Sequence, residues 1–239
     1  MTEPTSVVPV LEAEGVVKGY RGGDGSAIHV LNGVDLTVRA GEMVAVVGAS
    51  GSGKSTFLHV LGALERPDAG SVRLGGTHTS GQSDESLAAL RNQRVGFVFQ
   101  FHHLLKEFSA LENVMMPLRI AERSDAAARE RAMELLERVG LGSRVHHRPS
   151  ELSGGEQQRA AVARALALHP PILLADEPSG NLDHQNAERL HDLFATLTQD
   201  SGLGIVVVTH NRSLAQRAHR VLHLDEGRLH PAPPSAGGV

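Results

Sequence analysis

The sequence predicts an α/β fold around a parallel sheet. Apolar, β-branched runs recur within Glu42–Gly48, at Ile172–Ala175 and at Gly204–Thr209. Each has the length of a strand and none alternates with polar residues, the pattern of strands covered on both faces. Stretches with helical spacing separate these runs, and strands that alternate with helices build parallel sheets.

The other elements follow in order. Leu11–Val17 and His29–Val38 read as strands joined by the turn Arg21–Ser26. A helix is predicted from Lys54 to about Leu64, stopped by Pro67-Asp68-Ala69-Gly70, with strands at Ser71–Leu74 and Arg94–Phe99. Ala110–Val139 is predominantly helical; Ala128, Ala132, Leu135, Leu136 and Val139 form its clearest apolar stripe, and Gly140 suits the C′ position. Further helices are predicted at Glu156–Leu168, before Pro170-Pro171, at His184–Gln199 and at Ser213–Ala218, with a last strand at Val221–Leu224. The strand-free middle marks a helical subdomain.

Length and composition agree with one globular domain: 239 residues, 41% hydrophobic and 21% charged. A formal net charge of −4 offers no footprint for nucleic acid, so none is expected as a partner. Without cysteines there is neither a disulfide nor a thiolate metal site. Residues 1–15 carry no basic or apolar signal region, and no apolar run approaches the ~18 residues of a spanning helix. Residues 1–9 and 231–239 read as flexible ends of a single domain over 10–230. A membrane role would then come through a partner.

Gly48-Ala49-Ser50-Gly51-Ser52-Gly53-Lys54-Ser55 fits the P-loop pattern G-x-x-x-x-G-K-[ST] at every fixed position. Glycines let successive backbone N–H groups turn toward phosphates that a Cβ would hold off. The helix beginning at Lys54 aims its unpaired N–H groups and positive dipole end at the same anion. In such a loop the lysine, Lys54, reaches the β- and γ-phosphates of ATP, and the Ser55 hydroxyl ligates Mg2+. Thr56, the next residue of the same turn, is counted with them as nucleotide-binding.

Ile172–Ala175 ends in Asp176-Glu177. Phosphoryl transfer needs one carboxylate to hold Mg2+ and another to orient the attacking water, so Asp176 is assigned to the metal and Glu177 to the general base. His210 follows another apolar run, at the strand end where ligands bind in open α/β sheets, in a position to donate to the γ-phosphate. His102-His103 and His146-His147 are set aside as metal pairs, because adjacent residues seldom turn both rings to one ion.

Leu152-Ser153-Gly154-Gly155-Glu156-Gln157-Gln158-Arg159 places a second serine–glycine turn at a helix start, a second anion-binding terminus. One triphosphate does not need two such sites in one chain. Two copies paired head to tail, each closing the other's loop, account for both. An ordinary helix capped by Ser153 leaves Gly154-Gly155 unexplained.

On these residues the chain resembles the ATP-binding-cassette (ABC) ATPases along nearly its whole length. Leu152–Glu156 is similar to the family's signature motif, Gln100 to the Q-loop glutamine, Ser179-Gly180-Asn181-Leu182-Asp183 to the D-loop, and His210 to the switch histidine. Tyr20, the only tyrosine, stands where the family stacks a ring on adenine, although a core position suits a lone tyrosine equally. Phe99–Leu105, Glu107–Val114, His147–Glu151 and Asn181 resemble the ATPase subunit of lipoprotein-releasing (Lol-type) transporters. Macrolide-export and cell-division ATPases share part of this pattern. Ser179 replaces the commoner threonine and keeps the hydroxyl.

The resemblance implies a P-loop NTPase with a RecA-like core, an antiparallel β subdomain and an α-helical signature subdomain at about 101–158. It implies a nucleotide-dependent homodimer with ATP and Mg2+ as cofactors. Lys54, Ser55, Gln100 and Asp176 of one copy would face Ser153, Gly154 and Gly155 of the other, with Gln100 joining Ser55 and Asp176 at the metal. It implies integral membrane permease subunits as partners and a peripheral place on the cytoplasmic face of the bacterial inner membrane. ATP hydrolysis would drive lipoprotein release toward the outer membrane; a macrolide or peptide exporter, or a cell-division complex, is the alternative. An ABC ATPase acting on DNA or ribosomes is disfavoured, because no sustained heptads separate Lys54 from Ser153 and only one cassette is present. Met115-Met116-Pro117-Leu118 either contacts a membrane subunit or packs within the helical subdomain.

Overall fold

The computed structural model describes residues 9–23 and 25–232. Its elements run β1 (Leu11–Arg21), β2 (Ala27–Val38), β3 (Met43–Val47), α1 (Lys54–Leu61), β4 (Ala69–Leu74), β5 (Thr77–His78), α2 (Asp84–Arg94) and β6 (Val95–Val98). Then come α3 (Ala110–Ile120), α4 (Asp125–Arg138), α5 (Gly154–Ala165), β7 (Ile172–Asp176), α6 (His184–Ser201), β8 (Gly204–Val208), α7 (Arg212–Gln216), β9 (Arg220–Asp225) and β10 (Arg228–Pro231).

An antiparallel sheet has the order β2-β1-β4-β5, and a larger sheet has the order β10-β9-β3-β8-β7-β6. In the larger sheet only β10 runs against its neighbour. Successive strand residues point to opposite faces, and here each face has its own core. Met43, Ala45, Leu173, Ala175, Ile205 and Val207 pack with the helices, against Leu111, Leu136 and Phe194. Val44, Val46, Ile172, Leu174, Val206 and Val208 pack the other way, onto Phe57 and Leu61 of α1 and the antiparallel sheet.

The differences from the sequence reading have local causes. Helix α1 ends at Leu61 rather than Leu64, because Gly62 takes the C-cap and Ala63 adopts a left-handed φ of 54°. Ala69 and Gly70, predicted as part of a turn, already belong to β4, where Gly70 crosses Gly15 so closely that a Cβ would strike its backbone. Helix α5 begins two residues before Glu156, since Ser153 caps it, and ends at Ala165. Gly140 (φ 73°) completes a Schellman stop: its N–H donates to Glu137 O and that of Leu141 to Leu136 O.

Helix α2, strand β5 and strand β10 were not predicted. Pro231, placed in the tail by sequence, is the last residue of β10, and Ala232 N–H donates to Val221 O. The rest of that tail, and residues 1–8, lie outside the described residues. Met115 and Leu118 are buried in α3, with Met116 and Pro117 half-buried, which favours packing over contact for that stretch. No helix among the described residues is long and apolar enough to cross a membrane.

Leu136 is fully buried where α4 meets the core. Leu136→Ala should destabilise the chain by about 3 kcal/mol, read as a lower urea midpoint, whereas a surface change at Glu130 should stay within about 0.5 kcal/mol.

Candidate active site

Strand β3 stops at Val47, and the next residues wrap the start of α1. A Cβ on Gly48 would lie 2.5 Å from Leu224 O, and one on Gly53 would lie 2.5 Å from Val30 Cγ1, so both positions require glycine. Gly51 and Gly53 hold φ values of 79° and 95°, outside the range of ordinary side chains. Gly53 is the N-cap of α1 and gives it no side-chain bond, which leaves the first-turn N–H groups to an outside acceptor. Lys54 Nζ donates to Gly48 O at 3.0 Å and Ala49 O at 2.8 Å, curled over the loop it serves. Ser50 and Ser55 are exposed, and Ser52 Oγ is buried with no protein partner.

Tyr20 is not a core residue. It lies at the end of β1, 40% exposed, and its hydroxyl donates to Glu65 Oε2 at 2.6 Å and reaches Thr56 Oγ1 at 3.5 Å. Burial and the Glu65 carboxylate push its pKa up, so the ring stays a neutral phenol. Ile28, its cross-strand partner, is 50% exposed. Sequence alternation had not singled out this apolar neighbour.

Asp176 ends β7 and Glu177 follows with φ at 44°, a costly conformation for a residue with a side chain. The Glu177 carboxylate accepts from His210 N–H at 3.1 and 3.2 Å and from Thr209 Oγ at 3.2 Å, while His210 Nδ1 lies 2.9 Å from Oε1. Glu177 and His210 are therefore in direct contact, with the His210 ring largely exposed and its Nε2 directed away from that bond. The sequence shows Thr209 only as a strand end; its part in holding Glu177 comes from the adjacency of β7 and β8.

Gln100 pairs with the D-loop: its Nε2 donates to Asn181 Oδ1 at 3.1 Å, and Asn181 Nδ2 donates to Gln100 O at 3.3 Å. Among the described residues its side-chain oxygen is given no hydrogen bond. The following loop is held by polar side chains, Gln158 and Asn113 buried and Arg164 half-buried. Gln158 donates to Phe99 O, Arg164 to His102 O and His103 O, and the Asn113 amide to Leu105 O, Phe108 O and Ser109 O. No carboxylate among the described residues pairs with Arg164, and burial pushes its pKa down. Beside this loop a cavity of about 550 Å3 is lined by Phe101, His102, Leu104, Pro149 and Gln157, with Phe101 64% exposed.

Ser153 is an ordinary N-cap: its Oγ accepts from Glu156 N–H, and the Glu156 carboxylate accepts from Ser153 N–H and Oγ–H. Gly155 also has an internal reason, because a Cβ there would lie 2.5 Å from Asn186 Cγ. The sequence expectation that a simple cap leaves both glycines unexplained thus fails for Gly155. It stands for Gly154, whose nearest neighbour, Leu182 Cδ2, would be 3.9 Å from a Cβ.

Residues 31–180 match the family model for the ABC transporter. The lipoprotein-releasing system ATP-binding protein LolD of Bordetella pertussis is 52% identical, over 97% of this chain and 100% of that one. The protein of the same name from Geobacter metallireducens is 54% identical, over 92% and 97%. Among solved structures, the dimeric ATP-binding cassette MJ0796 in a post-hydrolysis state with ADP and Pi superposes with a TM-score of 0.84, at 39% identity, over 92% of this chain and 96% of that one. The cbiO1 structure from Clostridium perfringens superposes at 0.81, with 25% identity, over 93% and 87%. With the glycine loop, the carboxylate-ended strand and the signature turn all in place, the chain belongs to the ABC transporter family as one of its ATP-binding, ATP-hydrolysing cassettes.

Proposed function

We propose that this cassette hydrolyses ATP to drive lipoprotein release from the inner membrane toward the outer membrane, working as a peripheral subunit on the cytoplasmic face. The observation that carries this reading is the end-to-end match, 52% identical over the full length of a lipoprotein-releasing ATPase. Two copies and integral membrane permease subunits form the working complex. The cavity beside Phe101 and the loop pinned by Arg164 and Asn113 suit the contact with those subunits.

Within each site, Tyr20 and its neighbour Ile28 offer the adenine a flat, half-exposed face. Ala49, Ser50, Gly51, Ser52 and Gly53 supply backbone N–H groups to the phosphates, and Lys54 swings from the Gly48 and Ala49 carbonyls onto the β/γ-phosphates. Ser55, Asp176 and the free oxygen of Gln100 are all hard oxygen donors, the set that Mg2+ selects. When bound, Mg2+ neutralises charge developing on the phosphates. Glu177 takes a proton from the attacking water, and His210 donates toward the γ-phosphate oxygens. The Glu177–His210 contact keeps the carboxylate and the imidazole at the same edge of the sheet before nucleotide arrives. Ser153 and Gly154 of the second copy close the site over the γ-phosphate, with Gly155 seating their helix on α6.

Glu177→Gln should bind ATP with unchanged affinity yet hydrolyse it at least about 100-fold more slowly, because the amide cannot act as a base. Wild-type turnover in that variant would sink the assignment. In the Glu177→Gln background, ATP and Mg2+ should convert the monomer to a dimer on a sizing column with light scattering. Adding Gly154→Asp should abolish that shift while nucleotide binding to the loop of the same chain is retained; a dimer in the double variant would remove Gly154 from the interface. The cargo reading is tested by purifying the native complex in detergent: bound lipoprotein and permease subunits are the expected result, and a macrolide exporter or a cell-division partner would overturn it.

A further inference from the structure

Behind the Glu177–His210 pair sits a histidine that the reaction above does not use. His191 is fully buried on the apolar stripe of α6, beside Ala187, Leu190, Phe194 and Leu197. An aliphatic residue would pack there without the cost of burying polar nitrogens. Its Nε2 lies 3.0 Å from Ser179 Oγ. Its Nδ1 lies 3.4 Å from Glu188 Oε1, facing that carboxylate but off the line of a hydrogen bond. Burial pushes the imidazole pKa down, so the ring is neutral. With Nδ1 facing a carboxylate, the proton belongs on Nδ1, and Nε2 accepts the Ser179 hydroxyl.

The order Ser179, His191, Glu188 is that of a hydrolytic triad, yet Ser179 is only 5% exposed and no substrate reaches it. The contacts continue elsewhere. Glu188 Oε1 accepts from Ser213 Oγ at 2.7 Å, and Glu188 Oε2 accepts from Arg217 Nη2 at 2.6 Å. Arg217 also pairs with Asp192. Ser213 lies in α7, directly after the His210 segment, and Ser179 lies just beyond Glu177. A closed ring therefore runs from Glu177 along the chain to Ser179, across His191 and Glu188 to Ser213, and back along the chain to His210, which touches Glu177.

We propose that His191 is a positioning residue for ATP hydrolysis. By tying Ser179 to α6, whose Glu188 holds Ser213, it sets the spacing between the loop 177–183 and the segment 210–217, and with it the placement of Glu177 and His210. This rests on the reading that those two residues support hydrolysis.

The test is steady-state turnover of the full chain with Mg2+ and varied ATP, for His191→Leu, His191→Gln, Ser179→Ala and the Leu/Ala double variant, with Glu177→Gln alongside and a thermal melt of each. His191→Leu and Ser179→Ala should each lower kcat about tenfold while KM for ATP moves less than about twofold. His191→Gln, whose amide oxygen still accepts the Ser179 hydroxyl, should recover to within about threefold of wild type. The double variant should be no slower than the slower single, because both changes cut one link. Wild-type kcat in Ser179→Ala or His191→Leu, or losses that multiply in the double variant, would overturn the proposal. If His191→Leu does not fold, Ser179→Ala and His191→Gln decide alone: the first must fall and the second must not. Wild-type turnover in Glu177→Gln would sink the base reading itself; an inactive Glu177→Gln beside a fully active His191→Leu would sink only the role of His191.

Discussion

The register of β3, β8 and β7 is the constraint on which the site depends. Val46 pairs with Val208, and Val208 pairs with Asp176, so the three strands end at one level. The ladder extends one step beyond them, with Thr209 N–H donating to Val46 O and Glu177 N–H donating to Val208 O. Because the strands are parallel, the phosphate loop, the carboxylates and the histidine segment all leave the same edge. A slip of one residue would exchange every side chain between the two cores, replacing Val44 and Val46 by Met43 and Ala45 against α1. The chemistry is thus aligned by the apolar packing beneath it.

That alignment explains how Glu177 tolerates its backbone. A φ of 44° costs roughly 1–3 kcal/mol and persists only where surrounding contacts over-determine it. Here the N–H, the carboxylate and the carbonyl are all engaged, by Val208, by Thr209 and His210, and by Gly180. The loop after β6 is held differently. Arg164, Gln158 and Asn113 attach it to the helical elements, whereas Gln100 attaches its start to Asn181 of the D-loop. A half-buried guanidinium held by two carbonyls, with no carboxylate partner among the described residues, gives up hydration to hold that loop geometry.

Much of this was legible in the sequence, for reasons that differ by element. Strands covered on both faces are apolar without interruption, so β3, β7 and β8 could be read directly, and the P-loop is a local pattern whose chemistry lies within eight consecutive positions, Gly48–Ser55. Helix α2 buries only Leu87 and carries no stripe to read, while β10 is held by backbone pairing to β9. Ser83 was a usable cap signal for α2, with Asp84 and Glu85 in the first turn. The Glu177–His210 and Gln100–Asn181 pairs join residues far apart in the chain and follow from strand adjacency, which no single-sequence period encodes. Tyr20 was left open by sequence because a lone ring fits core and surface alike; the bonds to Glu65 and Thr56 and its half-exposure decide it.

The two glycines of the signature turn show how sequence and packing divide the argument for a composite site. Read as letters, Gly154 and Gly155 both looked like backbone cleared for an anion. Packing assigns Gly155 to the contact of α5 with Asn186, an internal need of any chain that crosses these helices so closely. Gly154 has no such need: a Cβ would meet nothing closer than Leu182 Cδ2 at 3.9 Å. Ser153 already satisfies its own cap through Glu156, so no intramolecular bond calls for a bare backbone at the next position. The bare backbone at Gly154 leaves room for something approaching from outside the chain. In the proposed head-to-tail pair, the phosphate edge of a second copy would supply such a neighbour.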